Sequence, residues 1–364
     1  MDIRYKCGSA TADSMSKEIF AKIARKLLTE SLDVQKDETV TVETWNNGLP
    51  LARTVILESK RLGATPLLFL EDEEAFIEAS KTLPKENVGR IGRHEYNLLA
   101  GTDAYVFIPG PPIGSYSPRL KTEERAAATA YNMSWYEAAA KAKLRGVRLS
   151  YGYVGEDLAK LLGKSAKTII DHQLNSMLVD YQALKERSQQ ISKHLNDNVD
   201  ASLSVKDEKL DFQLKGDITI EDGIVDERNI MDGNNLCYIP PGLVAKEVDP
   251  QSASGSINIS SYLGSVGKLD NLSLEFKEGQ LVSWKSRSSK AKLDVVMRLI
   301  PEKDRRMTSI MIGLNPAVRY GYGIDRFVEG AMTIGVAGFR FAGVIERGNL
   351  KIGERLFVDK GKLT

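Results

Sequence analysis

The chain has 364 residues, 42% of them hydrophobic and 27% charged, and its 50 basic and 49 acidic residues leave a formal charge of +1. That composition belongs to a folded chain long enough for two domains with full cores, which sets aside disordered and fibrous classes. There is no long block of basic residues, the footprint of a nucleic-acid binder, and no run near the ~18 apolar residues of a membrane-spanning helix.

The leader MDIRYKCGSATADS lacks the apolar core of a signal peptide, so a cytoplasmic location is expected. Residues 16–28 (SKEIFAKIARKLL) put Ile19, Phe20, Ile23, Ala24 and Leu27 on one helical face. ETVTVET at 38–44 alternates as a strand. A helix over 51–62 is followed by Gly63, which can close it in the left-handed conformation. PLLFL at 66–70 is a continuous apolar strand, as found where helices cover both faces of a sheet. Strand, helix and strand at this spacing form a right-handed βαβ unit. A third buried strand at 104–108 leads into PGPPIGSYSP (109–118), then a helix over about 119–143 and a strand at 147–151. This half is expected to be an open α/β layer with a mostly parallel sheet, closed by a long helical stretch at 165–195.

From about 198 the period changes. ASLSV, KLDFQLKG, GDITI, SGSINIS, NLSLEF and QLVSWKS are short alternating strands split by DG, EG, GK and DN turns, with one helix near 289–300. The expected organisation is an α/β N-terminal domain over 1–197 and a β-rich α+β C-terminal domain over 198–364.

Few residues of catalytic type stand out. Cys7 and Cys237 are too far apart for a zinc knuckle or a disulfide framework and fit a reducing compartment. Cys237, within NNLCYIP, reads as a buried cysteine. The only histidines are His94, His172 and His194; no two have the i, i+4 spacing of a helical zinc site, and each reads as a solvated surface residue. No Gly-x-Ser-x-Gly elbow occurs. The loop 109–118 sits where α/β sheets bind ligands, but its prolines remove the N–H donors a phosphate cradle needs, and it reads as a stiffened connection.

Residues 308–338 carry a Gly-x-Asn-Pro turn from Gly313 to Pro316, then Asp325, then Gly330 ahead of an apolar run. This segment does not stand alone. In order along nearly the whole chain come LARTVILESKRLGATPLLFL, DYQALKERSQQISKHLNDNVDASLSVKDEKLDFQLKG, IPPGLV, SGSINIS and NLSLEFKEGQLVSW. The ordered set resembles the thermophilic-type metalloaminopeptidases of peptidase family M29. It is also similar to a pyridine-ring dioxygenase group with a mononuclear iron site.

The resemblance implies an M29 aminopeptidase-like fold and a homodimer whose C-terminal domain holds two divalent metals on carboxylates and imidazoles. Such metals lower the pKa of a bridging water that attacks the peptide carbonyl. Position by position, the implied chemistry is missing here. The glutamate of a P-G-G-E-V strand is Leu243, the glutamate of G-E-x-G-I-G-x-N-P is Ser309, and the histidine of G-T-x-H-I-A is Thr333. A tyrosine seven residues later is Arg340. The last two ligands, from an H-x-D strand, should follow some two dozen residues on, yet the chain passes from Arg340 almost directly to LKIGERLFVDKGKL and is expected to have lost that insertion.

The favoured expectation is an M29 aminopeptidase-like protein without the dinuclear site, needing no cofactor and binding a peptide, a small anionic ligand or a partner. Its pocket candidates are Arg340, Glu247 and Asp325, with Arg319 and Arg326 near Arg340 in sequence. The alternative is an active aminopeptidase using zinc, cobalt or manganese at an unconventional carboxylate site, for which Glu247, Asp249, Asp325 and Glu329 are the candidates. A third reading is a different enzyme that reuses the cleft with arginine and carboxylates as acid–base groups.

Overall fold

The computed structural model describes residues 10–110, 120–264, 266–287 and 289–364. Its strands, in chain order, begin with β1 (Thr39–Trp45), β2 (Thr65–Glu71), β3 (Ala104–Ile108), β4 (Arg145–Leu149), β5 (Asp200–Val205) and β6 (Glu208–Glu221). Then come β7 (Leu236–Ile239), β8 (Leu243–Val248), β9 (Ser254–Gly264), β10 (Gly267–Lys277), β11 (Gln280–Ser286) and β12 (Met307–Gly313). The last are β13 (Met332–Val336), β14 (Phe341–Ile345), β15 (Asn349–Ile352), β16 (Arg355–Asp359) and β17 (Lys362–Leu363). They form a five-stranded sheet, β2-β1-β3-β4-β7, and a twelve-stranded sheet, β11-β10-β9-β14-β13-β12-β8-β6-β5-β15-β16-β17.

Two compact units result. One comprises Met1–Pro112, Ala127–Gly152 and Val225–Ile239; the other comprises Ile113–Ala126, Tyr153–Ile224 and Pro240–Thr364. This differs from the single cut at 197 expected from the sequence. β7 returns to the first sheet and runs parallel to β4, from Gly146 opposite Leu236 to Leu149 opposite Ile239. Parallel partners need not be close in sequence, so no local pattern announced that return.

In the first unit the expected βαβ unit is present. β1 pairs in parallel with β2 and with β3, and the helix Leu49–Arg61 between β1 and β2 buries Leu51, Ala52 and Val55. Gly63 follows at φ +81°, the left-handed conformation its position called for. The opening helix runs Ala10–Lys26 and continues as a π-helical turn, Leu27–Ser31.

In the second unit β6, β8, β12, β13, β14 and β9 pair successively as antiparallel neighbours, and β9 pairs back with β6 to close a ring. Val244, Ile257, Ile310, Ile312, Met332 and Ile334 belong to the core of this unit. The single helix expected at 165–195 is two helices, Ala166–Ser176 and Tyr181–Ser192. The break has a local cause: the Asp180 side chain accepts from the Ala183 N–H (3.0 Å) and caps a fresh helix. The helix expected near 289–300 forms as Lys290–Arg298, capped by Ser289.

The Gly-x-Asn-Pro turn organises this unit around one side chain. Asn315 is completely buried. Its Nδ2 donates to Pro241 O (2.8 Å) and Ser176 O (3.2 Å), and its Oδ1 accepts from the Ala317 N–H (2.9 Å). Its own N–H donates to Phe327 O (2.9 Å). Gly242, at φ +112°, lies against it, and a Cβ there would stand 2.8 Å from the Asn315 nitrogen. Asn315→Ala removes all three side-chain bonds and strands two buried carbonyls. We expect a loss of about 3 kcal/mol in urea unfolding, and a loss below about 1 kcal/mol would refute the role given to this amide.

Candidate functional site

On β8, β12 and β13, Val244, Ile310, Ile312, Met332 and Ile334 enter the core, so the alternate residues project from the opposite face. Registers of Leu243 with Gly313, Ala245 with Met311 and Glu247 with Ser309 align β8 with β12. Ser309 faces Gly335, and Met311 faces Thr333, across to β13. Leu243, Ser309 and Thr333, the positions implied as ligands by the resemblance, therefore share one face of one sheet.

β14 extends that face, with Val344 opposite Thr333 and Ala342 opposite Gly335. β14 follows β13 directly after the turn 337–340, and its two outward positions hold Ala342 and Val344.

The face does not suit two dications. Leu243, Ser309 and Thr333 are buried. Ser309 Oγ and Thr333 Oγ1 have no hydrogen-bond partner. A leucine and two neutral hydroxyls cannot offset the desolvation of divalent ions. Among the described residues, no group of three or more His, Cys, Asp or Glu is placed to hold a metal.

The carboxylate candidates are each engaged locally. Glu247 is exposed on β8, and its Oε2 accepts the Asp217 N–H (3.1 Å) where β6 bulges. Asp249 accepts the Gln251 N–H (2.9 Å) and the Lys215 ammonium (3.3 Å). The backbone bond, then Lys215, hold its carboxyl below the usual range. Glu329 forms an ion pair with Arg187. Asp325 accepts N–H groups of Gly321 (2.9 Å) and Tyr322 (3.2 Å), and burial nonetheless raises its pKa.

Arg340 stands exposed in the turn between β13 and β14 rather than in an enclosed pocket. Arg319 is exposed and gives its backbone N–H to His172 Nε2 (3.1 Å). The Arg326 guanidinium lies over the Phe327 ring at 4.9 Å.

Of the histidines, His94 and His194 are exposed as expected, the His94 side chain 83% so beside Glu95. His172 is half-buried, its ring 3.9 Å from that of Tyr322. Burial, then Arg319 and Lys164, depress its pKa and keep it neutral as the acceptor of the Arg319 amide. His194 Nε2 accepts from the Arg355 guanidinium (2.8 Å), since a guanidinium can only donate. The interacting partners of both are more than a hundred residues distant, beyond the reach of helical periodicity. Cys237 is buried in β7, as its apolar context predicted. Of the loop 109–118, residues 111–118 lie outside the described residues.

The first unit holds a charged cluster that sequence reasoning missed. Glu43 on β1 is buried, and its Oε2 has no hydrogen-bond partner. Burial first, then the neighbouring Glu71 and Glu95, push its carboxyl well above the usual range, and burial also raises Glu71. Glu95 accepts from the Gly92 N–H (2.6 Å) and from the Tyr131 hydroxyl. A glutamate inside a strand that is buried from Val40 through Trp45 was the available signal.

No protein-family model matches the chain, and no curated protein matches it in sequence. Its architecture is nonetheless an M29 aminopeptidase-like two-domain fold. Wild-type AmpT from Thermus thermophilus is similar to it in structure at a TM-score of 0.66, with 14% identity, over 96% of this chain and 99% of that one. The 2,5-dihydroxypyridine dioxygenase from Pseudomonas putida is similar at a TM-score of 0.64, with 12% identity, over 96% and 97% of the two chains. These identities establish the fold, and a fold shared with a dioxygenase does not select an activity. Among the described residues no helix is long and apolar enough to cross a membrane.

Two substitutions test these sites. Thr333→Val deletes an unpartnered buried hydroxyl at nearly constant volume, so stability should rise by about 1 kcal/mol; a fall of that size would show that the hydroxyl holds a ligand or water. For Glu43, a folded-state pKa above the unfolded value of about 4.3 means that its favourable contribution is complete below that pH. The contribution is lost as pH rises through the raised value. Glu43→Gln should therefore flatten the decline of unfolding free energy on the alkaline side of pH about 4.3. Parallel wild-type and variant profiles would contradict the buried acid.

Proposed function

We propose that this chain is a catalytically degenerate relative of the M29 aminopeptidases, a ligand- or partner-binding protein that does not use a dinuclear metal site. One observation carries the reading: the three implied ligand positions meet on one buried sheet face and hold Leu243, Ser309 and Thr333. Loss of a single ligand could be repaired by a neighbour. Here the neighbours on β8, β12 and β14 are Ala245, Met311, Ala342 and Val344, which offer no charge, and on β6 a single carboxylate, Glu221, stands opposite Leu243. Glu247 is the face's acidic member on β8, and its bond to Asp217 already engages one oxygen.

Arg340, the expected anion-binding group, is exposed in a turn, so a neutral peptide-like ligand is favoured over an anion at this face. We propose that the binding species is a homodimer, as the resemblance implies, and that it acts in the cytoplasm.

The deciding measurement is metal content of the purified protein, beside hydrolysis of aminoacyl-arylamides with and without added cobalt, zinc or manganese. We expect no stoichiometric divalent metal and no turnover in any of these conditions. Tightly bound metal together with chelator-sensitive hydrolysis would establish the active-peptidase alternative instead.

A further inference from the structure

A cavity of about 480 Å³ opens in the second unit beside the end of the helix Tyr181–Ser192 and the strand β16. Arg187, Lys193, His194 and Arg355 line it, and no aspartate or glutamate does. Its apolar wall is Ile191, Phe357 and Leu363. Its size falls within the range of small-molecule sites.

The cations are unequally committed. Arg187 is neutralised by its ion pair with Glu329. Lys193 and Arg355 form no ion pair with a carboxylate among the described residues. Arg355 is oriented all the same: its guanidinium lies 5.0 Å from the centroid of the Phe357 ring and donates to His194 Nε2 at 2.8 Å. The His194 ring in turn stands edge-on to Phe357 at 5.6 Å. A planar donor is thus held against an aromatic surface and aligned by one hydrogen bond. Its remaining N–H groups are available to an oxyanion. On a concave wall the two cations without a carboxylate partner raise the local potential toward an anion.

We propose that this cavity is a binding site for a small organic anion. Its phosphate or carboxylate group is held by Arg355 and Lys193, and its apolar or aromatic body lies on Phe357, Ile191 and Leu363. This site uses none of the residues on which the proposed function rests, so either reading can fail without the other.

The test uses the full chain and phenyl phosphate as the probe, with inorganic phosphate and benzoate alongside, followed by calorimetry. The His194 ring resonance, one of only three histidine signals, is read by NMR and assigned with His194→Gln. Phenyl phosphate or benzoate should bind and shift that resonance, and the tighter of the two shows which oxyanion the site prefers. Phenyl phosphate should bind more tightly than inorganic phosphate. Arg355→Gln should weaken the organic anions about tenfold, and Lys193→Gln several-fold, as expected for charge-assisted bonds. Both side chains are exposed, so the fold should tolerate these changes, and a matching circular dichroism spectrum checks this. No binding of either organic anion at millimolar concentration would overturn the proposal. So would affinities unchanged by both substitutions, or inorganic phosphate binding as tightly as phenyl phosphate.

Discussion

The second unit depends on a buried amide. Asn315 has no exposed surface, and its side chain joins the chain entering β8, the end of the helix Ala166–Ser176 and the loop that follows β12. Each partner is a backbone group, so the interaction fixes chain paths rather than side-chain positions. Neighbouring contacts follow the same route: Gln173 Nε2 donates to Tyr322 O (3.1 Å), and His172 stacks on Tyr322. Gly313 completes the arrangement, since a Cβ on it would stand 2.1 Å from Val328 O. The Gly-x-Asn-Pro turn is therefore explained by packing alone. Its presence says that the fold is built this way and says nothing about metal chemistry.

That separation of scaffold from chemistry follows from strand alternation. On β8, β12 and β13 one set of alternate residues fills the core while the other set faces away from it. Substitutions in the second set leave the first intact. A sheet can consequently exchange glutamate or histidine for leucine, serine or threonine without losing its register. The reverse does not hold, because a change in the core set or at Asn315 moves the strands that present the face.

Legibility in the sequence followed the range of the interaction involved. The βαβ unit, the left-handed Gly63 and the helix after Ser289 were readable because each rests on contacts within a few residues. The return of β7 to β4 and the closure of β9 on β6 join distant segments of similar pattern. The break at Asp180 was legible in principle, yet apolar spacing continued through it and outweighed the cap. At the candidate face, residue identities were readable and their convergence was not. His172 shows the same limit from another side, since helical position suggested solvent while Tyr322 and Arg319 supply its surroundings.

Electrostatics sharpens the picture, because a formal charge of +1 conceals an uneven distribution. Several charges are settled by near neighbours. Lys246 is buried at the β6 bulge, 2.5 Å from Asp197, and its bond holds that carboxyl low. Arg145 meets Glu38 at 2.5 Å, and Lys215 meets Asp249 at 3.3 Å. Two clusters among the described residues differ from these pairs in opposite senses. At Glu43 and Glu71 an excess of carboxyl groups is tolerated by keeping a proton, a solution that needs burial and no ligand. Arg355 and Lys193, by contrast, have no carboxylate ion-pair partner among the described residues and line a cavity without aspartate or glutamate. Arg187 on that wall is balanced by Glu329, and an anion from outside the chain can balance the other two. That asymmetry is why the basic cavity, rather than the buried acids, is the place to look for a ligand.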